Sequence, residues 1–199
     1  MICKKKKNYI FTVLKDLANM KKIIIPALAT ICLFIAIAFN ACKPDKCKNV
    51  SCAYSGVCKD GACLCQVGYE GEHCETIARD KFKGIWNVNE DGTLTSAAQY
   101  SVSIEDGPQI DKVIIKNFQN KDELEVVTAV AYKDTLTIPT QIVSNGYTVE
   151  GWAAIVDTDP LNQHYYQHAV MTMYYKVTDN LGQVNEYGMG GAGPSIWSK

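Results

Sequence analysis

Hydrophobic and polar positions divide the chain into three stretches with different patterns. Residues 23–39, IIIPALATICLFIAIAF, are apolar apart from Thr30 and come directly after Lys21 and Lys22. Residues 42–75 are dense in cysteine, lysine, aspartate, glycine and glutamate and hold few large apolar groups. From Ile77 onward the pattern has period two. Ala98, Tyr100, Val102 and Ile104 alternate with Gln99, Ser101, Ser103 and Glu105, which predicts a half-buried strand. Phe82, Trp86 and Val88 alternate likewise, as do Leu124, Val126, Val130 and Tyr132, then Leu136, Ile138 and Ile142. A later strand carries Tyr165, Ala169, Met171, Met173, Tyr175 and Val177 on its apolar face. Val149 and Trp152 cannot share one alternation, so a bulge is expected at Gly151. No window has a helical period.

Turn-forming residues punctuate this run at Glu90-Asp91-Gly92, Asp106-Gly107-Pro108, Ser144-Asn145-Gly146, Asp157-Thr158-Asp159-Pro160 and Asp179-Asn180-Leu181-Gly182. The result is a mostly-β prediction: about eight strands in an antiparallel meander, joined mainly by hairpins. Such a sheet must protect its edges, and closure into a barrel removes them. The stretch from Ile77 to Lys199 contains no cysteine and must fold by its own apolar core, for which it is long enough.

The N-terminal pattern points to export. A basic segment, an apolar run and a small residue at its end describe a secretory signal over residues 1–41. Met20 begins an ordinary signal of this kind and is a candidate start. An uncleaved membrane helix is the alternative, although the run is short for a span and Pro26 interrupts it. Either reading keeps the lysines in the cytoplasm and exports the chain from Cys42 onward. Phe39-Asn40-Ala41-Cys42 resembles the lipobox of bacterial lipoproteins, with Phe39 where leucine is usual. That resemblance implies a diacylglycerol thioether on Cys42, palmitate-type acyl chains, and attachment to a bacterial membrane, at the outer membrane or cell surface. Acyl chains contribute about 0.8 kcal/mol per buried methylene, so several of them anchor a protein without a spanning helix.

Cys42 also settles an imbalance. From Cys42 onward there are seven cysteines; with Cys42 acylated, Cys47, Cys52, Cys58, Cys63, Cys65 and Cys74 remain. A short polar segment of this kind cannot bury enough surface to fold without staples, and disulfides suit an exported chain. No C-x2-C pair of the zinc type occurs, so no metal is expected. Spacing alone leaves many pairings open. CKNVSCAYSGVCKDGACLCQVGYEGEHCE resembles an epidermal-growth-factor-like (EGF-like) domain, carried by Leu64 alone between Cys63 and Cys65 and by Gly68, Tyr69, Gly71, Cys74 and Glu75. The resemblance implies the bonds Cys47–Cys58, Cys52–Cys63 and Cys65–Cys74, and positive φ at Gly68 and Gly71. The acidic cluster of calcium-binding members is missing from Lys43-Pro44-Asp45-Lys46, so no calcium site is expected. The domains are thus a signal over 1–41, a lipidated stalk over 42–46, an EGF-like module over 47–75 and a barrel over 77–199.

Gly84-x-Trp86 on the first strand resembles the lipocalin start. With Ile114-Ile115-Lys116-Asn117-Phe118 and Ile138-Pro139-Thr140-Gln141, it makes the segment similar to lipocalin-like domains of bacterial surface lipoproteins. The resemblance implies a barrel that encloses a small apolar ligand or is filled by its own side chains.

The chain's formal net charge is −1, but residues 1–41 hold seven lysines against one acid, Asp16, so the exported part is strongly acidic and disfavours nucleic acid. Candidate chemistry is sparse. His164 and His168 fall on the polar face of their strand, about 13 Å apart, too far for one ion. Asp157 and Asp159 precede Pro160 and read as a solvated turn. Gly188, Gly190, Gly191 and Gly193 precede Pro194 with no helix to bind phosphate. His73 reads as a loop residue, and Trp86 and Trp152 as core or barrel-end residues. No cofactor is expected. The expected function is non-catalytic: an exported, lipid-anchored protein meeting a small apolar ligand or an extracellular protein partner. A spacer with a filled barrel is the alternative, and a carboxylate-dependent hydrolase of extracellular glycans is a weaker one.

Overall fold

The chain is described from a computed structural model covering residues 45–121, 124, 126–158 and 166–199. Cys42, the apolar run, His164, Tyr165, Asp159 and Pro160 lie outside the described residues. Lys46–Lys199 forms one compact unit containing both the cysteine-rich module and the sheet.

In the module the sulfurs pair as Cys47–Cys58, Cys52–Cys63 and Cys65–Cys74, the pattern implied by the EGF-like resemblance. Strands β1 (Val57–Lys59) and β2 (Ala62–Leu64) form a hairpin. Its two-residue turn has Asp60 at φ 54 and Gly61 at φ 91, the left-handed pair that matches strand twist. Strands β3 (Tyr69–Glu70) and β4 (Thr76–Ile77) pair next, with Gly68 and Gly71 at positive φ as expected. Tyr69 stacks on Tyr54, ring centroids 4.4 Å apart.

A one-turn 3-10 segment, Ala78–Lys81, leads into the barrel and fastens it to the module. The Ala78 amide donates to the Gly68 carbonyl at 2.9 Å. Arg79 donates through Nη1 to the carbonyls of Gly107, Gln109 and Lys112 and pairs through Nη2 with Asp106. Lys81 lies between Glu70 of the module (2.6 Å) and Asp134 of the barrel (2.8 Å).

The barrel strands are β5 (Gly84–Glu90), β6 (Ala98–Asp106), β7 (Lys112–Lys116), β8 (Val126–Tyr132), β9 (Thr135–Ile142), β10 (Thr148–Asp157), β11 (Ala169–Thr178), β12 (Val184–Tyr187) and β13 (Ser195–Ser198). Each from β5 to β11 pairs antiparallel with the next. β12 and β13 both pair with β11, at different stretches of it, and act as one interrupted strand. β13 also pairs with β5, closing an eight-stranded antiparallel barrel as the alternation predicts. Its interior is packed with Phe82, Trp86, Phe118, Leu136, Met171, Tyr175 and Trp197 among others.

Four expectations need correction. On β8 the inner face is Val127, Ala129 and Ala131, while Val126 and Tyr132 are exposed and Val130 is half-buried. Both parities of VVTAVAY are apolar, and small residues go inward because Tyr175, Trp197 and Phe118 already fill the space. The bulge lies in β9: Gly151 opposes Ile138 and Val149 opposes Gln141, so Pro139 and Thr140 together face Glu150. Pro139 cannot donate to a ladder, and a bulge accommodates it. The bulge inverts the alternation, turning Ile142 outward at 78% exposure and Gln141 inward. Gln141 then exchanges two hydrogen bonds with the Thr128 backbone, at 3.0 and 2.7 Å, in place of ladder bonds. Gly151 instead makes room, since a Cβ there would overlap Tyr175. Trp152 is not a core residue. It is 42% exposed on the outer face and stacks on Tyr174 at 4.4 Å. His168 lies in a turn before β11 rather than on a strand, and is exposed.

Candidate functional site

Among the described residues, polar groups converge on two recesses. The first opens where β5 and β6 begin their hairpin. Trp86 and Val88 point inward, and strict alternation carries Glu90, the last residue of β5, to the same side. Read in sequence as part of a turn, Glu90 is in fact 6% exposed. Its Oε1 accepts the Tyr100 hydroxyl at 2.7 Å, and its Oε2 accepts Tyr175 and Ser195, each at 2.7 Å. Ser195 in turn accepts the Trp197 indole N–H at 2.8 Å. Strands β5, β6, β11 and β13 thus meet on one carboxylate.

Such an arrangement solvates the carboxylate with hydroxyls in place of water, which is what burial of a charged group requires. Burial, reinforced by the Glu90 charge, pushes the Tyr100 and Tyr175 phenols far above their ordinary range. Burial also raises Tyr187, which stacks on Tyr175 at 4.3 Å. These phenols therefore remain protonated donors at any physiological pH. No lysine, arginine or histidine among the described residues pairs with Glu90.

Gln119 reaches the same recess from the β7–β8 connection. Asn117, Gln119 and Asn120 have φ of 59, 56 and 50, a left-handed run that turns Phe118 and Gln119 into the interior. Three non-glycine residues in that region store backbone strain held by the surrounding packing. Asn117 is braced by donating to the Ser101 carbonyl at 2.8 Å. Gln119 Nε2 donates to the Tyr175 hydroxyl at 3.3 Å, while Gln119 Oε1 is buried and has no partner. A cleft of about 140 Å³ lies beside these groups, lined by Glu90, Thr95, Ala98, Tyr100, Gln119 and Lys121, among others. Its rim is held by Asn185, which takes the Leu94 amide at 2.9 Å and donates to the Tyr187 hydroxyl at 2.9 Å.

The second recess lies between module and barrel. It measures about 1110 Å³ and is lined by Tyr54, Glu72, Glu75, Lys81, Asp134 and Tyr166, among others. Its floor is the Lys81 bridge, with Tyr166 under the ammonium at 5.4 Å. Burial opposes the Lys81 charge, but hydrogen bonds to Asp134 and Glu70 outweigh it and raise the group above the usual lysine value. Glu75 is held below the ordinary carboxylate value by backbone hydrogen bonding, its own and that of His73, whose amide donates to it at 2.7 Å.

The candidates named from the sequence scatter across these features. The six cysteines close the module. His73 contributes its backbone to Glu75. Asp157 is the last residue of β10 rather than a turn residue, and its side chain accepts the Tyr166 amide at 3.2 Å. Trp86 lies fully buried and donates to the Phe82 carbonyl at 2.7 Å. Among the described residues, no three His, Cys, Asp or Glu side chains converge as a metal site would need. Sequence reading missed Glu90 and Gln119. For Glu90 a signal existed, because it continues the parity of Trp86 and Val88. Gln119 had none, since its position depends on a local left-handed turn.

Residues 49–76 match the family model of the Teneurin-like EGF domain, in agreement with the disulfides and hairpins of the module. No solved structure matches the chain.

Proposed function

We propose that this protein is an exported bacterial lipoprotein, anchored through acylated Cys42, that acts as a non-catalytic binding protein with a lipocalin-like barrel. Its partner is an extracellular protein, met on the outside of the barrel and module. The observation that carries the reading is the filled interior. Trp86, Phe118, Tyr175 and Trp197 are fully buried at its centre, so apolar cargo of the kind many barrels enclose has no place in the described part of it. Recognition then falls to the surface, and the module–barrel recess is large enough for several side chains of a partner. The bridges of Arg79 and Lys81 hold its two walls in a fixed geometry, which lowers the ordering cost of binding.

The hydrolase reading requires a general acid with a raised carboxyl value. A photo-crosslinking amino acid placed at Glu72 on the recess, and separately at the exposed loop residue Leu181, tests the proposal in intact cells. Crosslinks to one extracellular protein from position 72 but not 181 are expected. Equal or absent crosslinking at both positions overturns the assignment of the recess.

A further inference from the structure

The cleft beside Glu90 keeps two acceptor positions unfilled, although Ser96, Gln99, Asn120 and Lys121 also line it. Glu90 has roughly four lone-pair sites, and three are occupied by hydroxyls. The open site is on Oε1, which takes only Tyr100. Gln119 Oε1 is a second acceptor; its residue is 8% exposed, and the atom has no partner at all. A buried carbonyl without a donor costs stability unless something fills the position. The hydroxyls of Tyr100, Tyr175 and Ser195 are already engaged by Glu90.

We propose that this cleft binds a primary ammonium group, presented by a small alkylamine. One positive charge answers the one buried carboxylate. Three N–H donors answer the open lone pair of Glu90 and the orphaned carbonyl of Gln119, with one left for water at the mouth. A divalent ion is a poor fit because only one carboxylate faces it. The size agrees: the cleft is close to the roughly 150 Å³ of an engineered cavity that takes up benzene, enough for an amine with a short alkyl tail. Ala98 and the ring of Tyr100 supply the apolar wall for that tail. Lys121 at the lining is a like charge that weakens the site. The strained backbone from Asn117 to Asn120 has a use in this arrangement, since it delivers the Gln119 carbonyl to a place no regular strand would reach. The site is separate from the module–barrel recess and does not depend on the surface-binding reading.

The test follows the Gln119 side-chain amide resonance in the 15N-labelled full-length chain during titration with methylammonium chloride. A saturable shift in the millimolar range is expected. Tetramethylammonium, which has charge but no N–H donor, and potassium are expected to give none. Glu90→Gln should weaken binding tenfold or more, as loss of a charge-assisted bond does, and Lys121→Met should tighten it several-fold. Should Glu90→Gln fail to fold, the comparison of methylammonium with tetramethylammonium on the unaltered chain still decides. Equal shifts from tetramethylammonium or potassium overturn the proposal, as does the absence of a saturable shift in both the unaltered chain and Lys121→Met.

Discussion

The EGF-like module and the barrel solve the same problem by opposite means. Between Lys46 and Ile77 the buried groups are few: Cys74 is the sole fully covered apolar side chain, and Val57, Leu64 and Val67 are exposed. Three disulfides with sequence separations of 11, 11 and 9 stand in for a core by restricting the unfolded chain. The barrel has no cysteine and is held by interdigitated aromatic and aliphatic side chains. Only such a core supports buried polar groups of this kind, because Glu90 needs three donors fixed on three other strands. The comparison teaches where specific chemistry can be placed: the module offers rigidity and edges, the barrel offers a dry site.

Reducing conditions should separate the two regions most strongly. Each bridge contributes about 3 kcal/mol by loop-closure entropy, so loss of all three unfolds the module. Amide exchange over residues 47–75 should become fast while that of β5–β11 stays slow. Equal loosening of both would show that the module is a structural part of the barrel.

The reverse break comes from the core. Trp86→Ala should destabilise the barrel by about 3–5 kcal/mol, through lost packing and an orphaned Phe82 carbonyl. The three disulfides should still form, as mass measurement of the blocked thiols would show.

A smaller effect is expected at the joint. Lys81→Met removes the cation shared by Glu70 and Asp134, whose own exposure tempers the penalty to about 1–2 kcal/mol. Its readout is independent motion of the module, seen as a change in relaxation rates of residues 47–75 alone.

Alkaline pH sharpens the same contrast. Tyr100, Tyr175 and Tyr187 have folded values raised above the ordinary 10.0. Their stabilisation is therefore complete below that value and is lost as pH climbs above it, since the unfolded chain then releases protons the folded barrel retains. The slope approaches about 1.4 kcal/mol per pH unit for each phenol. Tyr100→Phe should flatten it by one phenol's share in urea titrations run on either side of pH 10.

Much was legible in the residues themselves. Period-two runs located the strands of the barrel. The Cys-x-Cys and Gly-Tyr spacing identified the module, whose disulfides arise from a local pattern that needs no distant contact. Faces were less legible where both parities are apolar, as in β8, because which side is buried depends on the volume left by Tyr175 and Trp197. The fate of Ile142 was hidden by a bulge at Pro139 that shifts parity by one.

Local periodicity was enough to determine the sheet type, and the EGF-like resemblance carried by a short run of residues implied the staples, because each arises from interactions within a few residues. Only the closed barrel decided that Glu90 is a buried acceptor of three hydroxyls and Gln119 an unmet acceptor. Their partners come from Tyr100, Tyr175 and Ser195, as far as 105 residues away along the chain. A charge's environment is set by what surrounds it in space, and no local pattern carries that information.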